Sequence, residues 1–308
     1  MSLSIFVIIV VIIVVDKDYD KDYDKDYDND WDNDWDNDYD KDADRQRCRG
    51  EYDMQEKMGH EKLRVYQFAL EHAAWMHAVL AGITQPAAAL DHWDRAAVSI
   101  VEGLANGNSR RSRADRNRYF NVAIGSALEC AACLDICRCR DMITDAQTID
   151  GKKQLQSIVR MTIGLRDAQS SCVREDPESY GAKALDIYFA HEGLDVYKTA
   201  LELVVWLHGF IKGTKLSSTI ATQLDKSTTS LVLNIAEGNG RFSEADQMRF
   251  LDIACTCAMQ VSACLDVLVA RQQVGINQVE AGKRILARVV PLMFGLRGYL
   301  DDSMSSGA

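Results

Sequence analysis

From Glu61 onward, apolar residues recur at steps of three and four rather than two, which predicts helices and no strand. Leu63, Tyr66, Leu70, Ala73 and His77 form one stripe, and Leu194, Tyr197, Leu201, Val204 and His208 repeat it 131 positions later. The first stripe is expected to face a core. A second stripe on another face, Phe68, His72, Trp75 and Val79, is copied as Thr199, Leu203, Trp206 and Phe210. A helix apolar on two faces needs two things to bury against. Trp75, Trp206 and Phe210 are therefore candidates for contacts between bundles or between chains. The periodicity predicts helices near 61–81, 87–106, 113–142 and 150–169, and again near 192–212, 217–237, 244–273 and 276–301. Short turns between them make sequential helices antiparallel neighbours. Pro291 inside the last helix predicts a kink.

The 131-residue offset holds without a gap: Tyr66 pairs with Tyr197, Ser99 with Ser230, Gly107 with Gly238, Arg118 with Arg249 and Cys133 with Cys264. Toward the far end Gly151-Lys-Lys matches Gly282-Lys-Arg, and Gly164-Leu-Arg matches Gly295-Leu-Arg. The chain reads as a duplication. The expected fold is all-α, two tandem antiparallel up-and-down four-helix bundles over 61–176 and 192–302, joined by a linker over 177–191.

The charge of −11 changes the picture only once it is located. Residues 1–60 carry 18 acids and 8 bases, so the rest of the chain is nearly neutral. That balance lacks the basic excess of a typical nucleic-acid binder. Leu3 to Val15 is apolar but about 7 residues short of the roughly 20 that span a bilayer. It also lacks the basic flank and cleavage site of a signal peptide, so a membrane partner is not expected. From Asp16 to Asp44 every even position is Asp, with Tyr or Trp at every fourth residue from Tyr19 to Tyr39. Asp-x-Asp-x-Asp opens a calcium loop, but the Gly at position six and the Glu at twelve are missing. Residues 1–58 therefore read as a disordered, self-repelling acidic tail, or as translated repeat upstream of a start at Met54 or Met58.

The most distinctive stretch is Asn234-Ile-Ala-Glu-Gly-Asn-Gly-Arg241, then Ser243 with Asp246 as an approximate capping box, and Arg249-Phe-Leu-Asp-Ile-Ala254. Gly238 and Gly240 can adopt the left-handed conformation that ends a helix. Asn234, Glu237, Gly238, Arg241 and Arg249 are the turn-motif residues, with Glu237 and Arg241 expected to fix the helix end. The earlier copy has Asn106 in place of Glu237 and Gly103 in place of Asn234, with Ser112 and Asp115 as its cap. The first unit contributes Arg95-Ala-Ala-Val-Ser-Ile100 and Gly125-Ser-Ala-Leu-Glu129. Together these resemble the four-helix-bundle proteins encoded by intervening sequences of bacterial 23S ribosomal RNA genes, and the accessory variability determinant of diversity-generating retroelements looks like a relative. The resemblance covers 61 to about 300. It implies small up-and-down bundles assembling into ring-like pentamers, no catalytic residue, and, from the retroelement relative, nucleic-acid binding through a basic surface. A ring of duplicated chains holds an even number of bundles, so five bundles cannot close without leaving one out.

Candidate chemistry adds little. Cys130, Cys133, Cys137 and Cys139 crowd one helix, but Tyr119, Ala123, Ser126, Cys130, Cys133 and Cys137 form its core stripe, so cysteine stands where a hydrophobe would. No paired Cys-x2-Cys or His-x3-His completes a zinc site. Nine cysteines, an odd count without a disulfide framework, suit a reducing cytoplasm. His77 and His208, on the core stripe, read as buried imidazoles bonded to a neighbouring helix. Arg110, Arg111, Arg113, Arg116 and Arg118 crowd one helix start and are the candidate nucleic-acid contacts, read against a solvated face. The expected function is a non-enzymatic, self-associating interaction module without metal or cofactor, with RNA or DNA binding as the alternative.

Overall fold

The structure is a computed structural model that describes residues 58–167, 189–241 and 243–306. The acidic tail and most of the expected linker lie outside the described residues. Among the described residues eight α-helices follow one another: α1 Arg64–Ala81, α2 Ala88–Ser109, α3 Arg113–Cys139, α4 Asp145–Asp167, α5 Asp195–Gly213, α6 Ser218–Asn239, α7 Glu244–Ala270 and α8 Ile276–Ser306. A 3-10 turn precedes each set of four, Gly59–Lys62 and Ala190–Gly193. No strand occurs among the described residues. The expected all-α fold of two tandem four-helix repeats is therefore what forms, and Lys57–Ala308 is one compact unit.

Local chemistry sets the ends. Ser112 and Ser243 accept from the backbone N–H of Asp115 and Asp246, both at 3.4 Å, which caps α3 and α7. Thr144 Oγ1 accepts from Gln147 N at 3.2 Å while Gln147 Oε1 accepts from Thr144 N at 2.9 Å, a reciprocal cap that starts α4 five residues before the sequence pattern does. The capping box was invisible to apolar periodicity because it precedes the first periodic residue. α8 continues through Pro291.

Two expectations need correction. The core stripe of α1 is Val65, Ala69, His72 and Met76, while Leu70 and His77 are exposed. The step pattern of the two faces is the same, and only packing chooses between them. The buried imidazoles are accordingly His72 and His191, not His77 and His208. No glycine among the described residues has positive φ; the left-handed positions are Asp141 and Gln272, both at φ 56°. Gly238 is instead a close-approach site, since a Cβ there would lie 2.8 Å from Cβ of Phe250, and Gly107 likewise meets Phe120 at 2.5 Å. Trp75 and Trp206 are seated within their own repeats: Trp75 packs edge-on to Trp93 at 6.2 Å and over Gly151, and Trp206 packs over Gly282 and stacks on Phe210 at 5.0 Å. The copied Gly-Lys pairs of α4 and α8 are thus the floor for the copied tryptophans.

Within each repeat the helices pack in sequence order and the last returns to the first. Between repeats, α3 packs on α6 and α5, and α2 on α6, with no comparable packing of α7 on α1 or α2. The contact is therefore heterologous: the first repeat offers its third helix and part of its second, and the second offers its first and second.

Candidate interaction site at the junction of the repeats

From Phe120 to Cys137 α3 is mostly buried, because both its faces are used there. One faces its own bundle through Cys130, Cys133 and Cys137. Burial pushes all three thiols up, Cys137 to about 12, so they behave as inert apolar groups. The other face, with Gly125, Leu128, Ala132, Asp135 and Ile136, is buried as well. The turn motif lies against it. A Cβ on Gly125 would sit 3.7 Å from Arg241 Nη2 and 3.9 Å from Glu237 Oε1, and one on Gly240 would collide with Leu128. Arg241 pairs with Glu237 and covers the Phe250 ring at 4.6 Å. Burial raises the Glu237 pKa, Arg241 opposes the rise and Glu129 of the first repeat adds to it. Glu129 is itself bonded to His92 at 3.0 Å, and His92 to Arg95 at 3.4 Å. Asn234 bonds back to Ser230 O at 2.7 Å inside α6, while Arg249 is exposed on α7.

At the other end of the same interface lies a buried polar cluster. Lys152 Nζ bonds Asp135 at 2.6 Å and Glu192 at 2.9 Å, and the Tyr197 hydroxyl donates to the second Asp135 oxygen at 2.9 Å. His191 lies edge-on to Tyr197 at 4.7 Å and stacks on Phe189 at 5.8 Å, with neither ring nitrogen hydrogen-bonded. Desolvation, helped by Lys152, lowers its pKa to about 3. Asp135 and Lys152 come from the first repeat, and His191, Glu192 and Tyr197 from the second. Asp135, His191 and Glu192 place one ligand atom each within 4.8 Å of one another, the spacing of a metal site. Lys152 stands between the two carboxylates, so a divalent ion would have to displace the lysine that already pairs with both. A third set joins the repeats nearby: Arg140, the C-cap of α3, pairs with Asp225 of α6, whose other oxygen accepts from Ala88 N at 2.8 Å and so caps α2. His208 is half-buried beside this pair, in a cleft that Gln85, Pro86 and Lys212 complete.

The sequence motifs divide across this interface. The turn motif of the second repeat and Gly125-Ser-Ala-Leu-Glu129 of the first face each other, and neither repeat carries both in full. A family of known description, 23S rRNA-intervening sequence protein, matches residues 61–164 and again 192–295. The chain belongs to that family. It is a tandem form of a 23S rRNA-intervening sequence protein, two family units in one polypeptide. No curated protein and no solved structure matches it. The family is not a known enzyme family.

Sequence reading of this 23S rRNA-intervening sequence protein missed His191, Glu192, Asp135 and Lys152. The signal was present: carried outward from Tyr66 and Tyr197, the 131-residue offset pairs His60-Glu61 with His191-Glu192, and it also pairs Asp135 with Asp266 and Lys152 with Lys283. The arginine cluster is not a uniform patch. Arg110 donates to the Tyr119 hydroxyl at 2.9 Å and lies 4.8 Å from its ring centroid. Arg116 is half-buried, and Arg111, Arg113 and Arg118 are exposed. By length and composition α3 and α7 could each cross a bilayer; 78% of the apolar window is buried in α3 and 33% in α7.

Proposed function

We propose that the chain is a non-enzymatic, self-associating scaffold module working in the bacterial cytoplasm. One observation carries this reading: the two family units bind each other through a heterologous face with a buried cluster in which Lys152 of the first pairs with Asp135 and with Glu192 of the second. Bundle-on-bundle association is thus part of the fold, and a heterologous contact leaves one unused half at each end of whatever it joins. The test is the mass in solution by light scattering and sedimentation over a wide concentration range. Assembly beyond one chain is expected, and a single-chain mass throughout would overturn the proposal.

The alternative, RNA or DNA binding through Arg111, Arg113 and Arg118, draws support from their exposure at one helix start. If these three neutralise phosphates, the log-log salt dependence for duplex DNA has a slope near about −3. Changing them together to Ala should then abolish binding while leaving the solution mass unchanged.

A further inference from the structure

The internal junction can be read as a template, because every residue in it has a copy 131 positions away. Asp135, Leu128, Ala132 and Ile136 on α3 correspond to Asp266, Met259, Ala263 and Val267 on α7. The first four are buried in the junction; on α7 the same face is open, with Met259 51% and Val267 39% exposed. The Asp266–Lys283 pair forms as in the first repeat, at 2.6 Å, yet Asp266 is 69% exposed where Asp135 is 7%. The low burial of α7 among the apolar helices is this uncovered half.

The complementary half is open on the first repeat. Thr229, Val232, Leu233 and Ala236 of α6 are all buried, while their copies on α2 are exposed or half-exposed, Val98 at 50%, Glu102 exposed and Val101 and Ala105 partly so. His60 and Tyr66 reproduce the edge-on ring pair at 4.8 Å, and Glu61 stands where Glu192 stands in the second repeat. The copies of Arg140 and Asp225 are Arg271 and Asp94, both exposed. Three charged or polar matches are therefore split between opposite ends of one chain: Arg271 with Asp94, Lys283 with Glu61, and Asp266 with Tyr66.

We propose that a second copy of this chain docks head to tail, the α7 face of one chain on the α2 face and the Gly59–Lys62 turn of the next, by the operation that relates the two repeats. The proposal rests on the self-association reading and names its surfaces. Exposed apolar side chains stand on both faces, Met259 and Val267 on one and Val98 and Val101 on the other, with Met259 opposite Ser109 as Leu128 is opposite Gly240, and the charges at the margin match in sign. The turn end of the copied interface differs: Ser109 replaces Gly240, Thr256 replaces Gly125, Asn106 replaces Glu237 and Gln260 replaces Glu129. The contact between chains consequently keeps the Asp266–Lys283 end and loses the ionic lock at the turn end. It is weaker than the internal junction and depends on concentration.

The test uses charge reversal of the full chain at two exposed positions, with solution mass as the readout. Asp94→Arg places two arginines opposite each other, Arg271→Asp places two aspartates, and each alone should weaken assembly by at least about tenfold. Mixing the two variants restores an opposite-charge pair at every contact and should restore assembly, as should the double variant. All should melt like the parent, since both side chains are exposed. If the parent assembles and neither variant changes its mass, this surface is wrong while self-association stands. A parent of single-chain mass at all concentrations overturns both, and a parent that remains a single chain but floats with lipid vesicles assigns the α7 face to a membrane instead.

Discussion

Lys152 and Lys283 are the same residue in two copies of one fold, and the difference in their surroundings can be measured. Lys152→Met keeps the aliphatic stem and removes the Nζ that bonds Asp135 and Glu192, leaving two carboxylates in a site where the Asp135 and Lys152 side chains are each 7% exposed. Removing one partner of a buried ion pair costs about 3–5 kcal/mol, because the remaining charge stays desolvated. For a unit of this size each kcal/mol moves the melting midpoint by roughly 2–4 °C, so a fall of order 10 °C is expected. Lys283→Met breaks a pair whose aspartate is 69% exposed, and such pairs contribute about 0–1 kcal/mol, a shift under about 4 °C. The assay is thermal and guanidinium unfolding of the two variants side by side, followed by the triple variant Asp135→Asn, Lys152→Met, Glu192→Gln. The triple variant buries no unpaired carboxylate and should recover most of the loss. Equal shifts for Lys152→Met and Lys283→Met would refute the reasoning, since burial at the junction would then contribute nothing.

The same interface makes two further predictions. His191 has a folded pKa near 3 and an unfolded value near 6.5, so the unfolded state binds the extra proton and stability falls as pH drops below about 6.5. His191→Phe keeps the stacking on Phe189, removes that titration, and should flatten the unfolding free energy between pH 7 and 5; an unchanged slope would show that His191 is not buried neutral. His72, lowered to about 4 by burial against its bond to Gln154, adds a smaller loss of the same sign and remains in that variant as the internal comparison. Gly240→Ala should cost about 1–3 kcal/mol by overpacking against Leu128, and Leu128→Ala should relieve it, so that the pair costs less than the sum of its parts in denaturant unfolding.

How far the sequence could be read depends on which interactions repeat with a period. Helix number, order and duplication were legible because 3.6-residue periodicity and a fixed offset are properties of the chain itself. The choice between the two faces of α1 was not, because Leu63-Tyr66-Leu70 and Val65-Ala69-His72 carry the same spacing, and only the position of α4, whose Gln154 meets His72 at 3.1 Å, selects the second. The seating of the tryptophans was not legible either: Gly151 and Gly282 make room for each half-buried indole inside its own repeat, which a large side chain off the assumed stripe does not announce.

The departures from the family pattern were visible but had no reason attached to them until the repeats were seen packed together. Asn106 and Ser109 occupy places where the second repeat has Glu237 and Gly240. Gly240 is required by Leu128 across the junction, and Glu237 with Arg241 lies in ordinary contact range of Gly125. At the outer face of the first repeat those neighbours belong to no residue of the same repeat, so the steric demand on Ser109 and the ionic demand on Asn106 disappear within one chain. The reverse holds for Gly125 and Thr256 on the other side of the interface. Each repeat therefore keeps the half of the pattern that its own junction uses, and the halves it lets change are those turned outward. Asp94, Glu61, Tyr66, Asp266, Lys283 and Arg271 run against that trend, since they remain identical to their junction copies although no junction within the chain uses them. That asymmetry is the reason to look for the missing contact at this end of the outer faces, and the Asp94 and Arg271 variants probe the match whose two members are both exposed and oppositely charged.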